Sequence, residues 1–216
     1  MQKYIVVRQF SSATHHVREG NTFPYVHVVH TNHPTKRRKN MKLLIASDLH
    51  GSANACAKLC DIFAQSGADK LILLGDVLYH GPRNNLPDGY APKAVIPMLN
   101  NLADKILCVR GNCDAEVDGM VLDFDVLTES RTLFDGALCL YLHHGHHDLP
   151  ELAPGTVVLY GHTHVVEHHE QNGLFYFNPG SVTIPKGGNP PSYMIYEDRT
   201  FTAYSLDGGV LFEKNV

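Results

Sequence analysis

Five apolar runs in this chain end in the same kind of polar cluster. They are "KLLIASDLHG" (42–51), "LILLGD" (71–76), "ILCVRGNCD" (106–114), "LCLYLHHGH" (138–146) and "VVLYGHTH" (157–164). A short apolar run without alternation reads as a strand covered on both faces. Residues 52–65 between the first two runs carry apolar positions at helical spacing, with Ser52 as N-cap and Gly67 as the stop. Residues 93–103 form a second helical stretch, with Pro97 near its first turns, before the run from 105. Strands alternating with helices at these lengths require a largely parallel sheet. In such a sheet ligands bind outside the carboxyl ends of the strands. The clusters sit at those ends. Glycines 51, 75, 111, 145 and 161 stand among them, where the chain turns sharply and approaches the site.

The second half reads differently. "FDVLTESRTLFDGALCLYLHH" predicts two strands around an Asp135-Gly136 turn. Short strands separated by Asn-Gly, Glu-Asp and Asp-Gly turns follow to the end. The expected fold class is therefore α/β, with residues 41–216 forming one domain of two packed sheets and outer helices.

Charge divides the chain near residue 40. Residues 1–40 carry a balance of +6 and residues 41–216 a balance of −10, within a total of −4 over 216 residues. The basic leader has three readings: a tail for nucleic acid or lipid, a disordered extension, or a start assigned too early. The last is preferred, because a core strand opens directly after Met41. The leader is left out of the fold reading. No run approaches the ~20 apolar residues of a membrane span, and no signal peptide is evident. The five cysteines contain no Cys-x-x-Cys pair, and Cys56 and Cys60 read as small helix hydrophobes. Reduced thiols point to a cytoplasmic protein.

Fifteen histidines are the compositional anomaly, eight of them between His143 and His169. Their placement is more telling than their number. The strand ends present Asp48, His50, Asp76, Asn112, His144, His162 and His164. Seven donors are too many for one four-coordinate ion and suit two divalent ions sharing a carboxylate. Nitrogen and oxygen donors without thiolate favour Mn²⁺, Fe or Zn²⁺ over Ca²⁺.

The ordered set "SDLHG", "GDVLYHG", "GNCD", "LHHGH" and "GHTH" resembles the calcineurin-like metallophosphoesterase superfamily. The wording "GDVLYHGPRN" and the later "FNPGSVTIPKGG" look most like its small bacterial YfcE-type phosphodiesterases. The resemblance covers 41–216 and none of 1–40. It implies a four-layer α/β/β/α sandwich of two mixed sheets. It also implies one metal on Asp48, His50, Asp76 and His164, and another on Asp76, Asn112, His144 and His162, with Asp76 bridging. Mn²⁺ is the first choice, with Fe, Zn²⁺ or Mg²⁺ as alternatives. The implied reaction is hydrolysis of a small phosphodiester by in-line attack of a metal-bridging hydroxide.

The pattern departs at Cys113, where many members carry a histidine that protonates the leaving group. A thiol replaces imidazole poorly as an acid near neutral pH. Cys113 is therefore either a weak acid or a space-filling side chain. Asp114, the partner of that missing histidine, reads as a charge at a helix N-terminus. His80 is a candidate for the missing acid or for a substrate contact, and Arg83, Asn84 and Asn112 are candidates for the phosphate. His146 and Asn178 are candidate braces of the metal ligands, although "NPGS" (178–181) reads first as a structural turn. His143, His147, His168 and His169 fit surface or edge-strand positions, and "PKGG" lacks the spacing of a phosphate loop. A phosphomonoesterase, a nuclease and a retromer-like scaffold are the competing functions. The acidic body argues against nucleic acid as partner, filled ligand positions argue against the scaffold, and a homo-oligomer is left open.

Overall fold

A computed structural model describes residues 41–216. The readings of residues 1–40 lie outside the described residues. The elements run β1 (Lys42–Ala46), α1 (Ala53–Ser66), β2 (Lys70–Leu73), α2 (Pro92–Asn100) and β3 (Ile106–Cys108). They continue as β4 (Ser130–Asp135), β5 (Leu138–His143), β6 (Val157–Leu159), β7 (Val166–Gln171) and β8 (Leu174–Pro179). The chain closes with β9 (Ser192–Glu197), β10 (Thr200–Ser205) and β11 (Val210–Asn215).

Two mixed sheets result. One is ordered β11-β10-β9-β1-β2-β3, with the β1, β2 and β3 pairs parallel. The other is ordered β4-β5-β6-β8-β7, with β5, β6 and β8 parallel. Strand period two divides the core. Leu44, Ala46, Leu71 and Leu73 pack with Cys56, Leu59, Val95 and Leu99 of the helices. The alternate residues Leu43, Ile45 and Ile72 pack with Leu140, Leu142, Val157 and Phe177 of the second sheet. The runs lack alternation because β1 and β2 are buried on both faces. Both described α-helices contribute to the first of these cores, and no described α-helix contributes to the second.

Local chemistry set these elements. Ser52 Oγ accepts from Ala55 N at 3.2 Å, and Gly67 closes α1 at φ 69°. The second helix ends at Asn100, earlier than its pattern suggested, and a 3-10 turn at Ala103–Lys105 leads into β3. Pro97 lies inside this helix and removes one of its hydrogen bonds. The expected hairpins form at Gly136 and at Asn172-Gly173. In the β9–β10 turn Asp198 and Arg199 take the left-handed conformation, so the turn lies one residue later than the Glu-Asp reading.

Candidate metal centre and active site

The loops after β1, β2, β3, β5 and β6 meet at one edge of the two sheets. Backbone bonds join the first two: Asp48 N to Gly75 O at 3.1 Å, His50 N to Asp76 O at 2.9 Å, and Gly51 N to Val77 O at 2.9 Å. The third loop is tied on by Asp114. Its buried carboxylate accepts from Asp76 N (2.8 Å), Val77 N (2.8 Å) and Gly111 N (2.7 Å). Asp114 is thus a clamp between two ligand loops rather than a helix-terminal charge. Burial pushes its carboxyl up to about 6 against the pull of those bonds.

Five of the seven expected ligands have a left-handed backbone: Asp48 (φ 55°), His50 (48°), Asp76 (57°), His162 (66°) and His164 (62°). A non-glycine residue in that region costs roughly 1–2 kcal/mol. The other such residues, Asn172, Asp198 and Arg199, lie in hairpin turns, where the conformation is expected. Close approach explains two of the glycines. A Cβ at Gly111 would stand 2.1 Å from Asp76 Oδ1, and one at Gly161 would stand 1.9 Å from Ser47 Oγ.

The side chains converge on few points. His164 Nε2 lies 3.2 Å from Asp48 Oδ1 and 3.3 Å from His50 Nε2. His50 Nε2 is 3.7 Å from both Asp48 Oδ1 and Asp76 Oδ2. His144 Nε2 is 3.5 Å from Asp76 Oδ2 and 3.2 Å from Asn112 Oδ1. Each of these histidines turns Nδ1 to a backbone carbonyl: His50 to Tyr79 O (2.8 Å), His144 to Leu74 O (2.6 Å) and His164 to Ile184 O (2.6 Å). A carbonyl only accepts, so Nδ1 carries a proton, and in its neutral, metal-binding form each ring presents its Nε2 lone pair inward. Three lone pairs then face two carboxylates and an amide oxygen, and Asp48 Oδ1 is buried without a hydrogen bond. Such a set of acceptors needs cations, and the residues fit them.

Titration follows the same logic. Burial opposes the charge on Asp48, but His164 and His144 hold its carboxyl below the usual range. Burial also opposes Asp76, which His144 and the Cys113 N–H (2.8 Å) hold well below that range. For His144, burial is overridden by Asp76 and Asp48, which push the imidazole up to about 9. Without metal, a proton on His144 supplies part of the missing charge.

Asp48, His50 and His164 present ligand atoms within 4.8 Å of one another, and so do Asp48, Asp76 and His144. His162 stands next to them, its ring 5.1 Å from that of His144 and its backbone N–H donating to Asp48 Oδ2 at 3.0 Å. Cys113 joins a third group with His50 and Asp76. Burial, and then Asp76, push its thiol up to about 12.

A cleft of about 560 Å³ opens over these residues, with Arg83, Asn84, Asn112, Cys113, Thr163 and Lys186 in its lining. His80 is not part of that lining. Its ring packs edge-on against Tyr79 and Tyr90 at 4.8 and 5.1 Å, while its carbonyl accepts from Asn84 Nδ2 at 2.8 Å. The sequence reading missed Thr163 and Lys186. Thr163 lay between two ligand histidines, and Lys186 was in the "PKGG" stretch set aside for lacking phosphate-loop spacing. It also missed Ser181, whose Oγ donates to Asp48 O at 2.8 Å. Asn178 Nδ2 donates to Gly161 O at 2.8 Å and to Thr163 Oγ1 at 3.0 Å, so "NPGS" braces two ligand loops as well as turning the chain.

A family model described as the calcineurin-like phosphoesterase superfamily domain matches residues 41–200. Phosphodiesterase YfcE of Escherichia coli K12 is 47% identical over 171 residues, which cover 77% of this chain and 93% of that protein. The solved structure of YfcE, described as a phosphoesterase from E. coli, has a TM-score of 0.79 at 45% identity. It covers 82% of this chain and all of its own. Vacuolar Protein Sorting 29 from Cryptosporidium parvum has a TM-score of 0.56 at 21% identity, covering 82% and 99%, and shares the fold alone. On this evidence the chain belongs to the calcineurin-like phosphoesterase superfamily.

Proposed function

We propose that this protein is a phosphodiesterase that hydrolyses small phosphodiesters with two divalent ions. The observation that carries the reading is the convergence of the His50, His144 and His164 Nε2 lone pairs on the Asp48 and Asp76 carboxylates. Asp48, His50 and His164 would hold one ion, and Asn112, His144 and His162 the other, with Asp76 shared. Bound there, the ions would supply a nucleophilic water at neutral pH and neutralise the phosphoryl oxygens. Their donor set suits Mn²⁺, Fe or Zn²⁺ better than Mg²⁺.

The chain's own residues do the rest. Arg83 offers a forked donor to a phosphoryl group, and Lys186 adds a second cation on the same cleft. Cys113 occupies the acid's position with a thiol that holds its proton tightly. The leaving group therefore departs with little protonation from the protein, which favours esters of acidic alcohols and phenols. The identity to a protein named a phosphodiesterase supports the diester preference. The net charge of −10 on residues 41–216 disfavours nucleic acid as substrate, and the filled ligand positions disfavour a purely scaffolding role.

The test is parallel rates on a bis-aryl phosphodiester, an aryl phosphomonoester and single-stranded DNA, each with Mn²⁺, Fe²⁺, Zn²⁺ or Mg²⁺. The diester should be cleaved fastest. Asp76→Ala should lose both metal loading and turnover. A monoester preference, or an Asp76→Ala protein with two metals and an undiminished rate, would overturn the reading.

A further inference from the structure

Beyond the cage the row of imidazoles continues outward. The His146 ring lies 5.3 Å from that of His144 and 6.2 Å from that of His162. The His147 ring follows 3.8 Å from His146 at 43°. Glu129, in the loop just before β4, brings Oε2 to 3.8 Å from His147 Nε2. One ligand atom from each of Glu129, His146 and His147 falls within 4.8 Å of the other two. A separate pocket of about 130 Å³ opens at this point. The His146 Nδ1 is buried with no hydrogen-bond partner among the described residues. Glu129 Oε1 faces Arg110 at 3.8 Å, and Oε2 faces the histidines.

We propose that Glu129, His146 and His147 form a further divalent-metal site, separate from the dinuclear centre and selective for borderline ions such as Zn²⁺, Co²⁺ and Ni²⁺. Two imidazole nitrogens and one carboxylate are a donor set for those ions and a poor one for Ca²⁺ or Mg²⁺, which take oxygen. Three protein ligands leave coordination positions for water. The side chains of His147 and Glu129 are 68% and 54% exposed, so the ion exchanges freely with solvent and binds more weakly than one in the buried cage. Its structural consequence is a staple: it joins the loop before β4 to the loop after β5 that carries His144. None of the three residues belongs to the proposed dinuclear centre, so the site does not depend on that reading.

The experiment is equilibrium dialysis of the full untagged chain against Zn²⁺ and, separately, Co²⁺, with metal counted per chain. Wild type is compared with His147→Ala and with Glu129→Gln, two exposed substitutions. Each variant should bind one equivalent less than wild type, and the Co²⁺ protein should lose one component of its visible absorption. An unchanged count in either variant overturns the proposal. Failure of the dinuclear reading would lower the count equally in all three proteins and leave the difference intact. The two failures are thus distinguishable.

Discussion

At the scale of single residues, the cage sets a pH dependence whose direction follows from its charges. The Asp48 and Asp76 carboxyls sit below their usual range, so their contribution to metal-free stability is present above about pH 4 and lost as pH falls. His144 is raised to about 9, so its contribution is complete below about pH 6.5 and is lost as pH rises through 9. Burial holds His143 and His146 down at about 4 and lowers His50 and His162 as well, which outweighs the rise of Asp114 to about 6, so these groups add stability as pH climbs to about 6.5. The metal-free protein should therefore be most stable near pH 6.5, and its Tm should fall from there to about pH 9.5. Mn²⁺ should abolish that fall, because a metal takes the place of the His144 proton. Thermal melts with and without Mn²⁺ check this, and a flat metal-free profile would refute it. Cys113 carries the second residue-level prediction. Cys113→His places a group that titrates near neutrality beside Asp76 and should widen the range of cleaved diesters toward poorer leaving groups. A variant with its metals intact and no gain on such esters would count against it.

At the scale of elements, the site is made by loops held by backbone bonds, and the strands only deliver them. Asp114 receives three N–H groups from two of those loops. Asp114→Asn replaces one acceptor by a donor facing an N–H, at a cost of about 1–3 kcal/mol in a buried setting. Urea unfolding should show that loss, and Mn²⁺ titration should show weaker binding through displaced Asp76, with a normal curve for both as the contrary outcome. Gly111→Ala is predicted to be harsher for the metal than for the fold. Its Cβ would stand 2.3 Å from Asp76 N and 2.1 Å from Asp76 Oδ1, so the loop after β3 must shift away from Asp76 while the strands behind it stay in place. Metal content per chain should drop while far-UV circular dichroism stays unchanged.

At the scale of the whole molecule, the site depends on the two sheets staying face to face, because His144, His162 and His164 come from one and Asp48, His50 and Asp76 from the other. Phe177 of β8 stacks on Phe201 of β10 across the interface at 4.2 Å and 24°, and both are buried. Phe177→Ala should cost about 3–5 kcal/mol by denaturant unfolding. A loss under 1 kcal/mol would mean that the contact does not hold the sheets together.

Much of this was legible in the residues. The β1 and β2 runs announced burial on both faces, Ser52 and Gly67 bounded α1, and Asn-Gly marked the β7–β8 hairpin. These signals are local, set by the conformations and burial that a few neighbouring residues prefer. The ligand types were equally plain, because the sequence carries the donor atoms. Other features depended on contacts between distant residues. β9 leaves the sheet of its chain neighbour β8 and lies beside β1 in the other sheet, with Met194 and Tyr196 packed against the second sheet. The packing of the His80 ring against Tyr79 and Tyr90 and the place of Lys186 in the cleft lining are of this kind. The same holds for Asp114 as a clamp and for Glu129 beside His146 and His147. The sequence alone determined which elements and donor atoms this protein has. Only the tertiary structure decided which of them meet, because such meetings are settled by the packing of two sheets and not by nearest neighbours in the chain.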